Sequence, residues 1–179
     1  QWERYERSFE IRNTYFNDTP AYDLQSPQID GRTVANNQND LSALFFERTF
    51  SLTDETGRVA LILPGAIYSG SNSKDVRLHL LNNTSLESLV GFENRGIFED
   101  IDTRYNFAIT IFKNSGETDI LKGVFQKTDL SILQNLDEQA AEIPKRVLAQ
   151  YSPKARIFPF VRSQREADVI DSIVQHPSL

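Results

Sequence analysis

Arg58-Val-Ala-Leu-Ile-Leu-Pro64 is an unbroken apolar run that follows Gly57 and closes on Pro64. A run of this length without alternation predicts a strand covered on both faces, central or near-central in its sheet. Helical patterns flank it. Upstream, Asp40 to Leu52 reads as a helix capped by Asn39 or Asp40, with Leu41, Leu44, Phe45, Arg48 and Leu52 on one face. Downstream, Gly65 to Lys74 opens a helix to about Leu81, with Val76 and Leu80 inward. A buried strand between helices predicts an α/β domain with an open, mostly parallel sheet whose strand ends carry a site.

Further along, Leu86 to Phe92 reads as a short strand and Glu93 to Arg104 as a polar loop interrupted by Ile97-Phe98. Tyr105 to Phe112 alternates apolar with small or polar residues and predicts a strand antiparallel to a neighbour. Asp119 to Phe125 is a further strand candidate after the Asn114–Gly116 turn. Beyond Thr128 the texture changes: Leu136 to Tyr151 reads as one or two helices, with Pro144 acceptable only near a helix start. Ser163-Gln-Arg-Glu166 is a capping box for a helix to about Gln175. A boundary near Thr128 therefore separates residues 1–128 from a helical extension over 129–179. Gln1 to Thr33 reads as irregular, broken by Pro20, Pro27 and Gly31, with its aromatics packed onto a larger body.

The 179 residues carry a net charge of -6, which gives no support to a purely electrostatic nucleic-acid binder. They contain no cysteine, which excludes disulfides, thiolate zinc sites and a cysteine nucleophile. No apolar run is long enough to span a bilayer and no signal peptide is visible, so a cytoplasmic location without membrane contact is expected. A chain that begins at Gln1 and holds no methionine is expected to be part of a longer protein.

Several chemistries fail on spacing. Gly65-x4-Gly70 is followed by Ser71-Asn72 instead of the lysine that a phosphate loop needs, and no two glycines are separated by one residue. His79 and His176 stand apart without metal spacing, and no lysine has an acid two positions before it. No self-sufficient catalytic set remains.

Two features stay open. Phe98, in a polar loop before a strand, plugs the underside of the sheet or stacks on a flat ligand such as a base taken out of a duplex. Lys145, Arg146, Lys154, Arg156, Arg162 and Arg165 lie on a stretch without Asp or Glu. That stretch is a solvated surface or a strip contacting the DNA backbone.

The order Asn39-Asp-Leu-Ser-Ala-Leu-Phe-Phe-Glu-Arg-Thr, Gly57-Arg-Val-Ala-Leu-Ile-Leu-Pro-Gly, Leu89-Val-Gly-Phe-Glu-Asn, Ile97-Phe-Glu-Asp and Phe107-Ala-Ile-Thr-Ile-Phe resembles the second half of the catalytic domain of amino-group DNA methyltransferases. More narrowly, it is similar to the gamma-class adenine-N6 enzymes, among them fused restriction–modification proteins and phage-defence methylases. The resemblance implies a partial Rossmann-like methyltransferase sheet. Arg58 to Pro64 would be its fifth strand, and Leu86 to Phe92 and Tyr105 to Phe112 its last two, the final one inserted antiparallel. It also implies that Asp40 lies near the S-adenosylmethionine pocket and that Phe98 stacks on the flipped adenine. Residues 129–179 would begin a target-recognition or linker region.

The acidic-aromatic-glycine cofactor loop and the Asn-Pro-Pro-aromatic tetrapeptide are missing, since no two prolines are adjacent. The chain would then be the C-terminal part of a methyltransferase, with no catalytic residue of its own and no cofactor binding alone. Its partners would be DNA and the missing N-terminal half. A catalytically empty DNA-recognition or scaffolding module on the same sheet is the alternative, and an unrelated small-molecule enzyme fragment is another.

Overall fold

The computed structural model describes residues 1–34 and 40–176. Helix α1 (Trp2–Asp18) opens the chain, followed by a 3-10 segment (Pro20–Gln25) and a two-residue hairpin, β1 (Gln28–Ile29) and β2 (Arg32–Thr33). Then come α2 (Leu41–Leu52), β3 (Arg58–Pro64), α3 (Ala66–Ser69), α4 (Lys74–Asn83) and β4 (Ser85–Glu93). The chain continues through β5 (Asn106–Lys113), β6 (Ile120–Lys127), α5 (Leu136–Gln139), β7 (Ala141–Pro144), α6 (Lys145–Tyr151) and α7 (Gln164–Val174).

The five-stranded sheet has the order β3-β5-β4-β6-β7. β3, β4 and β6 point one way; β5 runs against them between β3 and β4, the inserted antiparallel strand expected from the sequence. Between neighbours, β4 and β6 form the parallel pair, while β7 closes on β6 antiparallel. One face carries the main core, including Phe46, Val59, Leu63, Leu80, Leu89, Phe112 and Phe125. A smaller cluster of Val90, Phe92, Phe107, Val124 and Ile132 gathers Ile97, Phe98 and Leu136 around it. Phe112 is fully buried and takes Phe46 edge-on at 5.8 Å, so α2 is seated by an aromatic contact on the strand beside β3.

Four expectations change. Val59 to Leu63 is an edge strand: β3 pairs with β5 alone, and its burial alternates, with Val59 and Leu63 buried but Ala60 and Ile62 exposed. The double-sided run is thus covered on one face. On α2, Leu44 is buried, but Leu41, Phe45 and Leu52 face solvent, because Phe46, Glu47 and Thr49 turn inward. The segment read as irregular begins with the 17-residue α1. Nothing before Pro20 breaks a helix, and Trp2, Tyr5, Phe9, Ile11 and Tyr15 are exposed rather than packed down. Within Leu136 to Tyr151 a strand separates two short helices, because β6 offers Ala141–Pro144 a ladder that local propensity does not register. Pro144 sits where α6 starts, as its ring demands.

Residues 129–179 add β7 to the sheet and Val147, Leu148, Phe158, Val161 and Ala167 to the main core. Arg77 ties this extension down. It is fully buried and donates to the carbonyls of Ile67 at 3.0 Å, Ala155 at 2.7 Å and Arg156 at 2.6 Å. Burial pulls its pKa down to about 10, with Asp75 opposing. Three carbonyl acceptors on one guanidinium offset much of the cost of burying that charge.

Candidate functional site at the strand ends

Because β3 and β4 run parallel in direction, their C-terminal ends lie together, and β5 starts between them with Phe107 opposite both Pro64 and Phe92. Asp40 reaches this end from the start of α2. Its Oδ1 accepts from the Ser42 N–H at 2.8 Å and the Ser42 hydroxyl at 2.7 Å, the cap the sequence predicts. Asn39, the alternative cap, lies outside the described residues.

Asp40, Ser42, Phe46, Leu63, Pro64 and Ile67 line a cleft of about 30 Å³. Ligand pockets run from roughly 300 to 1,000 Å³, so the residues present do not fit S-adenosylmethionine by themselves. Beside the cleft, an added Cβ on Gly65 would lie 2.9 Å from both the Asn106 Cβ and the Tyr68 hydroxyl, so glycine is needed for this close approach. Burial pushes the Tyr68 hydroxyl up to about 12, with the Glu93 charge adding to the shift. Tyr68 therefore stays a neutral phenol at the sheet end.

The loop between β4 and β5 carries Phe98. Its ring is half-buried and meets Phe107 edge-to-face at 5.0 Å, which joins it to the smaller cluster. Asn94, at the root of the loop, is fully buried. Its side chain accepts from the Phe98 N–H at 2.7 Å and donates to the carbonyls of Phe98 at 3.1 Å and Ile101 at 2.8 Å. Sequence reasoning passed over Asn94 as a functional residue. Its signal was weak, an asparagine closing a buried strand two residues before a glycine.

Four of the six cations are paired with carboxylates. Lys145 pairs with Glu117, Arg146 with both oxygens of Asp171, Lys154 with Asp30, and Arg162 with Glu166. Arg156 donates to the Ala149 carbonyl at 3.2 Å. Arg165 is exposed and makes no hydrogen bond or ion pair among the described residues. His79 packs against Phe50 with ring centroids 4.2 Å apart, and burial lowers its pKa. No helix among the described residues is long and apolar enough to cross a membrane.

Residues 11–98 match the model of the Eco57I restriction-modification methylase family. The matched stretch runs from the middle of α1 through the cleft and both strand ends to Phe98, so over these elements the chain is similar to methylases of restriction–modification systems. No curated protein matches the chain.

Proposed function

We propose that this chain is the C-terminal part of a site-specific DNA adenine-N6 methyltransferase of a restriction–modification or phage-defence system. The observation that carries the reading is the arrangement at the strand ends. There an antiparallel strand inserted between β3 and β4 brings the Phe98 loop to the same end of the sheet as the Asp40 cleft. The family match over this stretch supports the class. A half-buried ring on a loop anchored between two strands suits stacking on a base drawn out of a duplex.

S-adenosylmethionine would supply the methyl group in the complete enzyme. Its pocket and the tetrapeptide that holds the adenine amino group would come from the N-terminal half, since neither the cleft nor the 179 residues provides them. Asp40 would border that pocket. Residues 129–179 would lead into the target-recognition region. Along them Lys145, Arg146, Lys154, Arg156, Arg162 and Arg165 would contact the DNA backbone. Their ion pairs are mostly exposed, and such pairs are worth about 0–1 kcal/mol, so phosphates can replace the carboxylates at small cost. Neutralising Arg165 and Lys154 should flatten the salt dependence of duplex binding by roughly two units of slope. An unchanged slope would assign the strip to plain surface.

The deciding experiment joins this chain to a segment carrying the cofactor loop and an Asn-Pro-Pro-aromatic tetrapeptide, then follows transfer of a labelled methyl group into duplex DNA. N6-methyladenine in the joined protein, with no transfer and no tight cofactor binding by the chain alone, is the expected result. Duplex binding without transfer would point to the scaffolding module. No affinity for duplex would point to an unrelated α/β enzyme fragment.

A further inference from the structure

The Phe98 loop is polar, exposed for much of its length and anchored by one buried side chain. The carboxamide of Asn94 reaches both backbone groups of Phe98: Oδ1 accepts from its N–H at 2.7 Å, and Nδ2 donates to its carbonyl at 3.1 Å. The same Nδ2 donates to the Ile101 carbonyl at 2.8 Å and approaches the Asp102 carbonyl at 3.3 Å. The Asn94 N–H closes the loop by donating to the Tyr105 carbonyl at 2.8 Å. Both peptide groups flanking one Cα are therefore held by a single side chain. This fixes the backbone dihedrals of Phe98 and with them the direction of its Cα–Cβ bond. The Glu99 and Asp100 N–H groups, by contrast, have no backbone or side-chain acceptor among the described residues, and Gly96 takes a φ of +90° that only glycine adopts freely.

We propose that Asn94 is the positioning residue that aims Phe98 at the extruded base. This inference rests on the stacking role given to Phe98 above. The chemistry requires asparagine at the position. An aspartate keeps the acceptor for the Phe98 N–H but turns the donor into a second anionic oxygen facing three carbonyls. An alanine leaves the Phe98 N–H and the Ile101 carbonyl without the partner that Asn94 supplies.

The test uses the complete methyltransferase and a duplex with 2-aminopurine at the target position, whose fluorescence rises when the base leaves the stack. Phe98→Ala should lower the extruded population about tenfold. Asn94→Asp should lower it by a similar factor while leaving binding to a duplex without the target site unchanged. In the double variant, Asn94→Asp should add nothing to the loss from Phe98→Ala, because there is no ring left to aim. Additive losses would overturn the proposal, since Asn94 would then act independently of the ring. If Phe98→Ala alone leaves extrusion unchanged, the stacking role fails and the positioning role falls with it. If Phe98→Ala lowers extrusion and Asn94→Asp does not, only the positioning role fails. Hydrogen exchange on the unaltered chain provides a check that needs no variant. The Phe98 amide should exchange far more slowly than those of Glu99 and Asp100, and equal rates would overturn the anchoring.

Discussion

The two edges of the sheet are built to different specifications. β7 is four residues long, buries Ala141 and Ile143, ends on Pro144 and leads directly into α6. Its outward backbone is also occupied. The Gln164 carboxamide accepts from the Glu142 N–H at 2.8 Å and donates to the Glu142 carbonyl at 3.4 Å. Short length, a charge, a proline and a covering side chain are the devices by which a sheet ends itself. β3 has none of them in its interior. Seven residues run from Arg58 to Pro64, and Val59 to Leu63 hold neither charge nor proline. No strand among the described residues pairs with the outer flank, and Ile62 remains 59% exposed. The solvent-facing Leu41, Phe45 and Leu52 of α2, the helix that leads into β3, add to the exposed apolar surface. One edge is finished, whereas the other has the composition of an interior strand. On the proposed function, the N-terminal half covers it.

Truncation tests the contrast most severely. Ile143→Ala at the closed edge removes a side chain that is 1% exposed and should cost about 2–5 kcal/mol in a urea melt. Ile62→Ala on β3 should stay within about 0.5 kcal/mol in this chain. Equal losses would mean that Ile62 is already covered. A smaller effect is expected from Gln164→Ala, which frees the Glu142 backbone to water and should cost roughly 0.5–1.5 kcal/mol. If stability holds, the edge is closed by length and burial alone. The smallest effect on stability, and the sharpest on association, belongs to Ile62→Lys. It should leave the melt nearly unchanged and reduce concentration-dependent self-association in sedimentation, since a charge on an open edge opposes strand addition. Unchanged association would show that β3 is not the adhesive edge.

Legibility followed the range of the interactions. The Asp40 cap, the alternation of β5 and the start of α7 depend on neighbours within a few residues, and all three were readable. Even there a detail differed. Ser163 accepts from the Glu166 N–H, but Glu166 turns its carboxylate to the Arg162 N–H and guanidinium instead of completing the box. The first helix was missed although Pro20 restricts only Thr19, which is extended, and the residues after it, leaving Trp2 to Asp18 free to be helical. β7 was missed because a four-residue strand exists only through its partner. At the site, Phe98 could be singled out as an aromatic among polar residues. The role of Arg77 could not, because its acceptors lie 10 to 79 residues away; nor could that of Asn94, whose partners lie within eight residues but are backbone groups, which carry no sequence signature.

By itself the sequence determined the apolar character of β3, the antiparallel return through β5 and the absence of cysteine. These follow from residue type, period and count. Only the tertiary structure decided that β3 lies at an edge, that α2 turns Phe46 rather than Phe45 inward, and that one buried asparagine holds both backbone groups of Phe98. Apolarity states that a surface is to be covered, but what covers it depends on contacts between segments far apart in the chain.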